Sequence, residues 1–392
     1  MKRWSRRIGV ELLTLLVILA VLEACSRLFA PVPPLATHHD PLVGARYPRS
    51  VDRRVYNPES KRPIRFRTNS DGFRGPDWTH GKRPGVRRVA ILGDSFIAAE
   101  GVEEKETLAN RLEDLLSVHT RPGEQWEVMN CGIAGSSTAD QLALYRNVVR
   151  EYHPDIVVVG YGTATDVVDN SRELAAHVRV SFELTEGGEL SRVRGGGKTV
   201  PISELMARWS RFYSWQKGRT NRLIKELRQR ADQPSRIDWI FAGQEPEKMQ
   251  RAWDLTAAIL QQLDQETGQD GCQLVVMAVP CAIQVYRDSE RELGERLPES
   301  SDFDPLHPSE RLAGICQQGG IPCLLMAKDF RHRAPARLST RQDEWLFFNG
   351  IGHLNHAGHR AAAENLFAFL GSQQLAPQEP ASVRADRSRR KR

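Results

Sequence analysis

Arg88-Val89-Ala90-Ile91-Leu92-Gly93-Asp94-Ser95-Phe96 is the stretch on which the reading of this chain turns. The apolar run that ends at Leu92 has the length and composition of a buried parallel strand. Leu108 to Leu116, a little further on, carries apolar residues at helical spacing. A serine at the turn between a strand and a helix is presented at the carboxyl edge of a sheet, where backbone N–H groups can face a developing oxyanion. Alone, Gly93-Asp94-Ser95-Phe96 reads as a turn that caps a helix. Its meaning depends on the rest of the chain.

Working outward, a second apolar strand, Trp126 to Met129, runs into Asn130-Cys131-Gly132-Ile133-Ala134-Gly135-Ser136-Ser137-Thr138. A third, Asp155-Ile156-Val157-Val158-Val159-Gly160, ends in Thr163-Ala164-Thr165-Asp166. Near the C-terminus, Gly352-His353-Leu354-Asn355-His356-Ala357-Gly358-His359 opens a last helix. These blocks, in this order, resemble those of the SGNH hydrolases, the GDSL lipase/esterase family. Thr68-Asn69-Ser70-Asp71-Gly72-Phe73-Arg74-Gly75 resembles the lead-in of membrane-anchored members.

The strand-helix alternation predicts an α/β fold, a three-layer α/β/α sandwich on a parallel sheet. Strands are expected near 88–93, 125–130, 155–160, 273–279 and 321–326. By the resemblance there are five strands in the order 2-1-3-4-5. Residues 246–267, with Met249, Trp253, Ile259 and Leu263 at helical spacing, read as a core helix. Residues 171–245 are too long for a simple crossover and are expected to form a helical insert. Its aromatic stripe (Trp209, Phe212, Tyr213) reads as packing within its own domain, with a lid or substrate wall near a membrane as the sharper alternative.

The resemblance implies Ser95 as nucleophile and His353 as general base and then acid. It implies an oxyanion hole from the N–H groups of Ser95 and Gly135 and a side chain at Thr165. Two positions depart from the family. Thr165 stands where an asparagine is expected, and Gly350 and Ile351 occupy the places of the aspartate that orients the histidine. Asn349 is the candidate orienter, with Asp343, Glu344 or a backbone carbonyl as alternatives. Asp94 and Asp166 read as helix caps that shape the site, and Asn170 as a residue facing the cleft. His353, His356 and His359 do not share one helical face cleanly, so no metal is expected, and no cofactor either.

The 392 residues carry a formal net charge of +6, much of it at the two ends. Arg384, Arg387, Arg389, Arg390, Lys391 and Arg392 form a basic tail, read as a solvated disordered end over 373–392. No nucleic-acid motif accompanies the charge, so no nucleic-acid partner is expected. Lys2, Arg3, Arg6 and Arg7 precede Ile8 to Ala24, an apolar run long enough to span a bilayer. Residues 1–29 are therefore read as a signal anchor with the remainder exported, to the periplasmic or extracellular side. Leu22-Glu23-Ala24-Cys25 makes a lipoprotein signal the second reading. Glu23 and Arg27 match a pair carried by anchored relatives. Export permits disulfides among the six cysteines, though free buried thiols fit as well.

Residues 30–65 read as a Pro- and Arg-rich spacer, and 66–372 as the SGNH hydrolase-like domain. The expected activity is hydrolysis of an O-acyl, possibly O-acetyl, ester on a small molecule or polysaccharide through a Ser95–His353 dyad. The alternatives are acyl transfer to an envelope glycan, or a degenerate glycan-binding or scaffold protein.

Overall fold

A computed structural model describes residues 2–120, 123–175, 178–193, 206, 209–229, 238–243, 245–294, 302–335, 344–350 and 352–377. The chain divides into two compact units. The smaller joins residues 1–36 to 196–233, and the larger holds 37–195 and 234–392.

In chain order the elements begin with α1 (Lys2–Phe29) and four short strands, β1 (His38–Asp40), β2 (Gly44–Arg46), β3 (Asp52–Asn57) and β4 (Arg62–Arg67). Next come β5 (Val86–Gly93), α2 (Ser95–Ala98), α3 (Leu108–His119), β6 (Gln125–Gly132) and α4 (Thr138–Asn147). β7 (Ile156–Gly162), α5 (Asp166–Asn170), β8 (Ser181–Leu184), β9 (Leu190–Val193), α6 (Arg211–Gln229) and α7 (Glu247–Gln269) follow. The chain continues through β10 (Gln273–Val279), α8 (Ala282–Val285), α9 (Arg287–Gly294) and α10 (His307–Gly319). It closes with β11 (Cys323–Leu325), α11 (Ala327–Arg333) and α12 (His356–Ser372).

Five strands form one parallel sheet in the order β11-β10-β7-β5-β6, the expected 2-1-3-4-5 arrangement seen from its other edge. Successive side chains alternate across it. Ala90 and Leu92 join the core beneath α4, α7 and α10, while Val89 and Ile91 join the core beneath α3 and α12. Both faces are therefore apolar, which is why these strands read as continuous hydrophobic runs. α7 buries Met249, Trp253, Ile259 and Leu263, as its periodicity predicts.

Residues 30–65 differ from a simple spacer. From His38 onward they form two antiparallel pairs, β1–β2 and β3–β4, that bury Tyr47, Val55 and Ile64 in the larger unit. The proline and arginine content hid a short alternating pattern that these strands use. The insert is also divided. Its first part forms the β8–β9 hairpin of the larger unit, and α6 belongs with α1 in the smaller one. The six cysteines are free thiols. The basic tail from Arg384 lies outside the described residues.

The one-turn helix α2 is held from two sides. Gly93, Gly132 and Gly160 stand side by side at the ends of β5, β6 and β7. Together they make a floor without side chains on which Ile97 and Ala98 rest. A Cβ on Gly93 would lie 2.2 Å from Ile97 Cγ1, one on Gly132 2.3 Å from the Ala98 backbone nitrogen, and one on Gly160 2.6 Å from Ile97 Cδ1. At the other end of the helix the buried Arg74 guanidinium donates to the carbonyls of Ala98 (3.1 Å), Ala99 and Val102 (2.6 Å). The first two are acceptors of the kind that a helix C-terminus leaves unpaired, and Val102 lies in the chain that follows. Burial pulls the Arg74 pKa down to about 10, so the group stays charged near neutral pH.

The contact made by each glycine sets the expected cost of filling it. In Gly160→Ala the added methyl meets the end of an isoleucine side chain, which can turn aside. In Gly132→Ala it meets backbone, so α2 itself must move. Gly132→Ala should lower stability by about 1–3 kcal/mol, the usual cost of overpacking, and by more than Gly160→Ala. Thermal melts of the two variants beside wild type check the order.

Candidate active site

Asp94 caps α2, accepting from the Phe96 N–H at 2.9 Å, and sets Ser95 at the start of the helix. The N–H groups of a first helical turn have no intrahelical acceptor and point outward. Ser95 Oγ lies 2.7 Å from Nε2 of His353. The histidine precedes α12, whose start is fixed by Asn355, the side chain of which accepts from Ala357 N (2.8 Å) and Gly358 N (3.1 Å). The Phe96 ring packs against the imidazole with centroids 5.1 Å apart.

The orienting group is a residue that sequence reasoning missed. Glu59 Oε2 accepts from His353 Nδ1 at 2.8 Å and from the His353 backbone N–H at 3.2 Å. Glu59 sits in the turn between β3 and β4, where Asn57 Oδ1 accepts from Glu59 N (2.9 Å) and Ser60 N (2.8 Å). Gly352 has no side chain to keep the carboxylate away, since a Cβ there would stand 3.0 Å from Glu59 Oε1. Asn349, the expected orienter, does not reach the ring: its Nδ2 donates to the Glu59 carbonyl at 3.4 Å. Asn349 itself stands in the left-handed region, at φ 52°. Asp343 lies outside the described residues.

Burial of the imidazole opposes its charging. The Glu59 carboxylate, by hydrogen bond and by charge, outweighs that effect with help from Asp94 and Glu100, and holds the His353 pKa above its ordinary value. The other two histidines of the motif part company with it. His356 is exposed and His359 is buried, where burial lowers its pKa to about 3. Among the described residues no group of three or more His, Cys, Asp or Glu could hold a metal ion.

Gly135 adopts φ 70°, a conformation that favours glycine. Its loop is braced at Ala134, whose N–H donates to the Tyr47 hydroxyl (3.3 Å) and whose carbonyl accepts from Arg179 Nη1 (3.0 Å). Arg179, a second residue that the sequence did not single out, brings Nη2 to 3.2 Å from where a Gly135 Cβ would sit. Tyr47 also donates to Glu100 at 2.7 Å.

Thr165 Oγ1 is enclosed and has no hydrogen-bond partner among the described residues. It shares a small space above Gly162 with two carboxyls. Asp94 Oδ2 and Asp166 Oδ1 each lie 3.3 Å from the point where a Cβ on Gly162 would stand, and Thr165 Oγ1 lies 2.6 Å from it. Burial pushes the Asp94 pKa up to about 6. Burial, then the charge of Asp94, pushes Asp166 well above the carboxylate range, while Thr138 Oγ1 donates to its other oxygen at 3.0 Å. Asp166 thus forms an acidic pair with Asp94 as well as standing at the start of α5. Asn170 is buried, with its amide oxygen accepting from Ala139 N (3.0 Å) and its amide nitrogen donating to Thr256 (3.0 Å). It therefore faces the packing between α4 and α7, not an open cleft.

The fold agrees with the family comparison. Residues 91–315 match the model of the GDSL-like lipase/acylhydrolase family, and the chain belongs to that family. No curated protein sequence matches it. Among solved structures it is similar to a lipase/acylhydrolase from Enterococcus faecalis, at 15% identity and a TM-score of 0.38 over 75% of this chain and 100% of that one. It is also similar to an acetylxylan esterase from Geobacillus stearothermophilus, at 14% identity and a TM-score of 0.40 over 73% of this chain and 94% of that one. A resemblance this loose carries no argument about substrate.

The Glu59–His353 contact has a pH signature. A base of raised pKa is charged, and useless as a base, up to a higher pH. The acid limb of kcat/KM should therefore lie above about 6.5, the ordinary histidine value. Glu59→Gln removes the charge that raises it, so the limb should move to lower pH while the plateau falls, by up to about 10⁴-fold on the triad precedent. Full pH–rate profiles of both proteins check this, and coincident acid limbs would detach Glu59 from the histidine.

Proposed function

We propose that this protein is an exported, membrane-anchored serine esterase that cleaves O-acyl esters through Ser95, His353 and Glu59. The observation that supports the reading is the continuous line Ser95 Oγ–His353 Nε2 (2.7 Å), His353 Nδ1–Glu59 Oε2 (2.8 Å). A degenerate binding protein has no need of a carboxylate that fixes the tautomer of a histidine facing a serine, and Glu59 weighs against that alternative.

In the proposed reaction Ser95 Oγ attacks the acyl carbonyl carbon and its proton passes to His353 Nε2. The carbonyl oxygen takes the negative charge, facing the N–H groups of Ser95 and Gly135; the Thr165 hydroxyl, expected as a third donor, is enclosed beside Asp94 and Asp166 instead. Collapse breaks the ester C–O bond, and His353 returns the proton to the departing alcohol. Water then gives its proton to His353 and attacks the acyl-serine, and the acid leaves as Ser95 regains a proton. Glu59 holds Nδ1–H throughout and stabilises the imidazolium in each half-reaction.

Anchoring rests on α1, in which Arg7–Phe29 is long and apolar enough to cross a membrane, its 18-residue apolar window having a mean hydropathy of 2.4. Cleavage at Cys25 would remove Glu23, which is hydrogen-bonded to residues 210–212 of the same unit. That favours a retained anchor over a lipoprotein signal.

Purified full-length protein should hydrolyse p-nitrophenyl acetate, and Ser95→Ala and His353→Ala should each lower kcat by 10³-fold or more, on the order of known serine hydrolases. Wild-type turnover no faster than that of the variants would remove the hydrolase reading. A glycan acceptor assay would then test transfer. Intact mass of the membrane-extracted protein should include residues before Cys25; a diacylglyceryl mass on Cys25 would reverse the anchor assignment.

A further inference from the structure

The smaller unit contains a helix–helix joint that esterase chemistry does not use. Glu23, near the end of the apolar run of α1, receives the N-terminus of α6. Its Oε1 accepts from the Arg211 N–H at 3.0 Å, and its Oε2 from the Phe212 N–H at 3.1 Å and the Ser210 hydroxyl at 2.8 Å. Arg27, one turn along, pairs with the same carboxylate at 2.7 Å and donates to the Trp209 carbonyl at 3.1 Å. Arg211 Nη2 closes the joint on the Ala30 carbonyl at 2.7 Å. A helix N-terminus needs acceptors for its first N–H groups and favours negative charge. Here both come from another helix, so α6 starts at the level where the apolar run Ile8 to Ala24 ends.

The sequence of α6 suits that level. It holds six basic residues, Arg211, Lys217, Arg219, Arg222, Lys225 and Arg228, against one acidic residue, Glu226. At the α-helical rotation Phe212 and Trp215 fall within an arc of about 60°, with Arg219 between them and Arg211 and Lys217 outside it. Arg219 lies with its guanidinium 5.0 Å from the Trp215 ring centroid, a stack that leaves its charge at the edge of the apolar face. Trp209 is 72% exposed and Trp215 38%, and the exposed tryptophans sit beside the joint. A basic amphipathic helix with aromatic residues on its apolar side is the pattern of a segment lying in the headgroup layer. Tryptophan favours that layer, and basic residues nearby are attracted to an anionic surface.

We propose that α6 is an interfacial helix, clamped by Glu23 to the top of the membrane helix and laid on the anionic lipid surface by its aromatic edge. The inference rests on the reading of α1 as a retained anchor. It assigns a purpose to the Glu23–Arg27 pair: the carboxylate caps α6, and the arginine neutralises that carboxylate near the bilayer.

The test uses full-length protein in vesicles of phosphatidylcholine and phosphatidylglycerol at 3:1, made with plain or 6,7-dibrominated phosphatidylcholine. Tryptophan emission of wild type is compared with that of the Trp209→Phe/Trp215→Phe variant, and the difference isolates these two rings. The expected result is difference emission at least twofold weaker in brominated vesicles, and less quenched once Glu23→Ala removes the clamp. Unchanged esterase activity of the double variant shows that it folds. Carbonate washing separates the two readings. Protein that washes off the membrane defeats the anchor assignment. Protein that resists carbonate but whose difference emission is equal in both vesicle types overturns the interfacial helix alone, as does quenching that is indifferent to Glu23→Ala for the clamp.

Discussion

The seating of α2 is the constraint that everything at the site depends on. One helical turn carries Ser95, and a single turn has too few internal hydrogen bonds to hold its own position. Position is supplied from outside. The glycine floor lets the backbone of α2 approach three strand ends closely, and Arg74 closes the carbonyl end. The floor works because β5, β6 and β7 are neighbours in register, so that Gly93 lies opposite both Gly132 and Gly160. Sheet topology thus fixes the serine to within the contact distance of a methyl group.

The second support comes from chain that precedes the sandwich. Tyr47, Glu59 and Arg74 reach, in turn, the Gly135 loop, His353 and the end of α2. Each contact joins residues remote in sequence, 294 positions apart for Glu59 and His353. A carboxylate supplied this way serves the imidazole as well as one placed beside the histidine in sequence. It makes the β3–β4 turn part of the site, so a truncation starting at the sandwich would lose it.

What the sequence disclosed follows from the range of each signal. Strands buried on both faces announce themselves as apolar runs, and the Ser95 turn, the Gly135 loop and His353 lie in local blocks after such runs. Glu59 announces nothing. It is one acid in Asn57-Pro58-Glu59-Ser60, a turn-forming stretch amid prolines and arginines, and its partner becomes a neighbour only on folding. Closeness in sequence to His353 points to Asn349, whose amide is instead spent on the Glu59 carbonyl. Arg179 and the Glu23 joint were hidden for the same reason. Their partners sit across a loop or on a different helix.

The distribution of charge around the serine gives the proposed mechanism its consistency. An oxyanion forming beside Ser95 is opposed by any negative charge nearby, yet Asp94 and Asp166 are both close. Their burial makes ionisation of the pair costly, pushing Asp94 up to about 6 and Asp166 higher. Asp166 is the harder of the two to ionise, because burial and the charge of Asp94 both oppose it, while Asp94 contributes its charge to the field that raises His353. Glu59 stands on the far side of the imidazole, where negative charge stabilises His353 as it takes up the Ser95 proton. Carboxyl groups are thus enclosed on one side of the serine and hydrogen-bonded to His353 on the other. Environment rather than composition divides the labour between them.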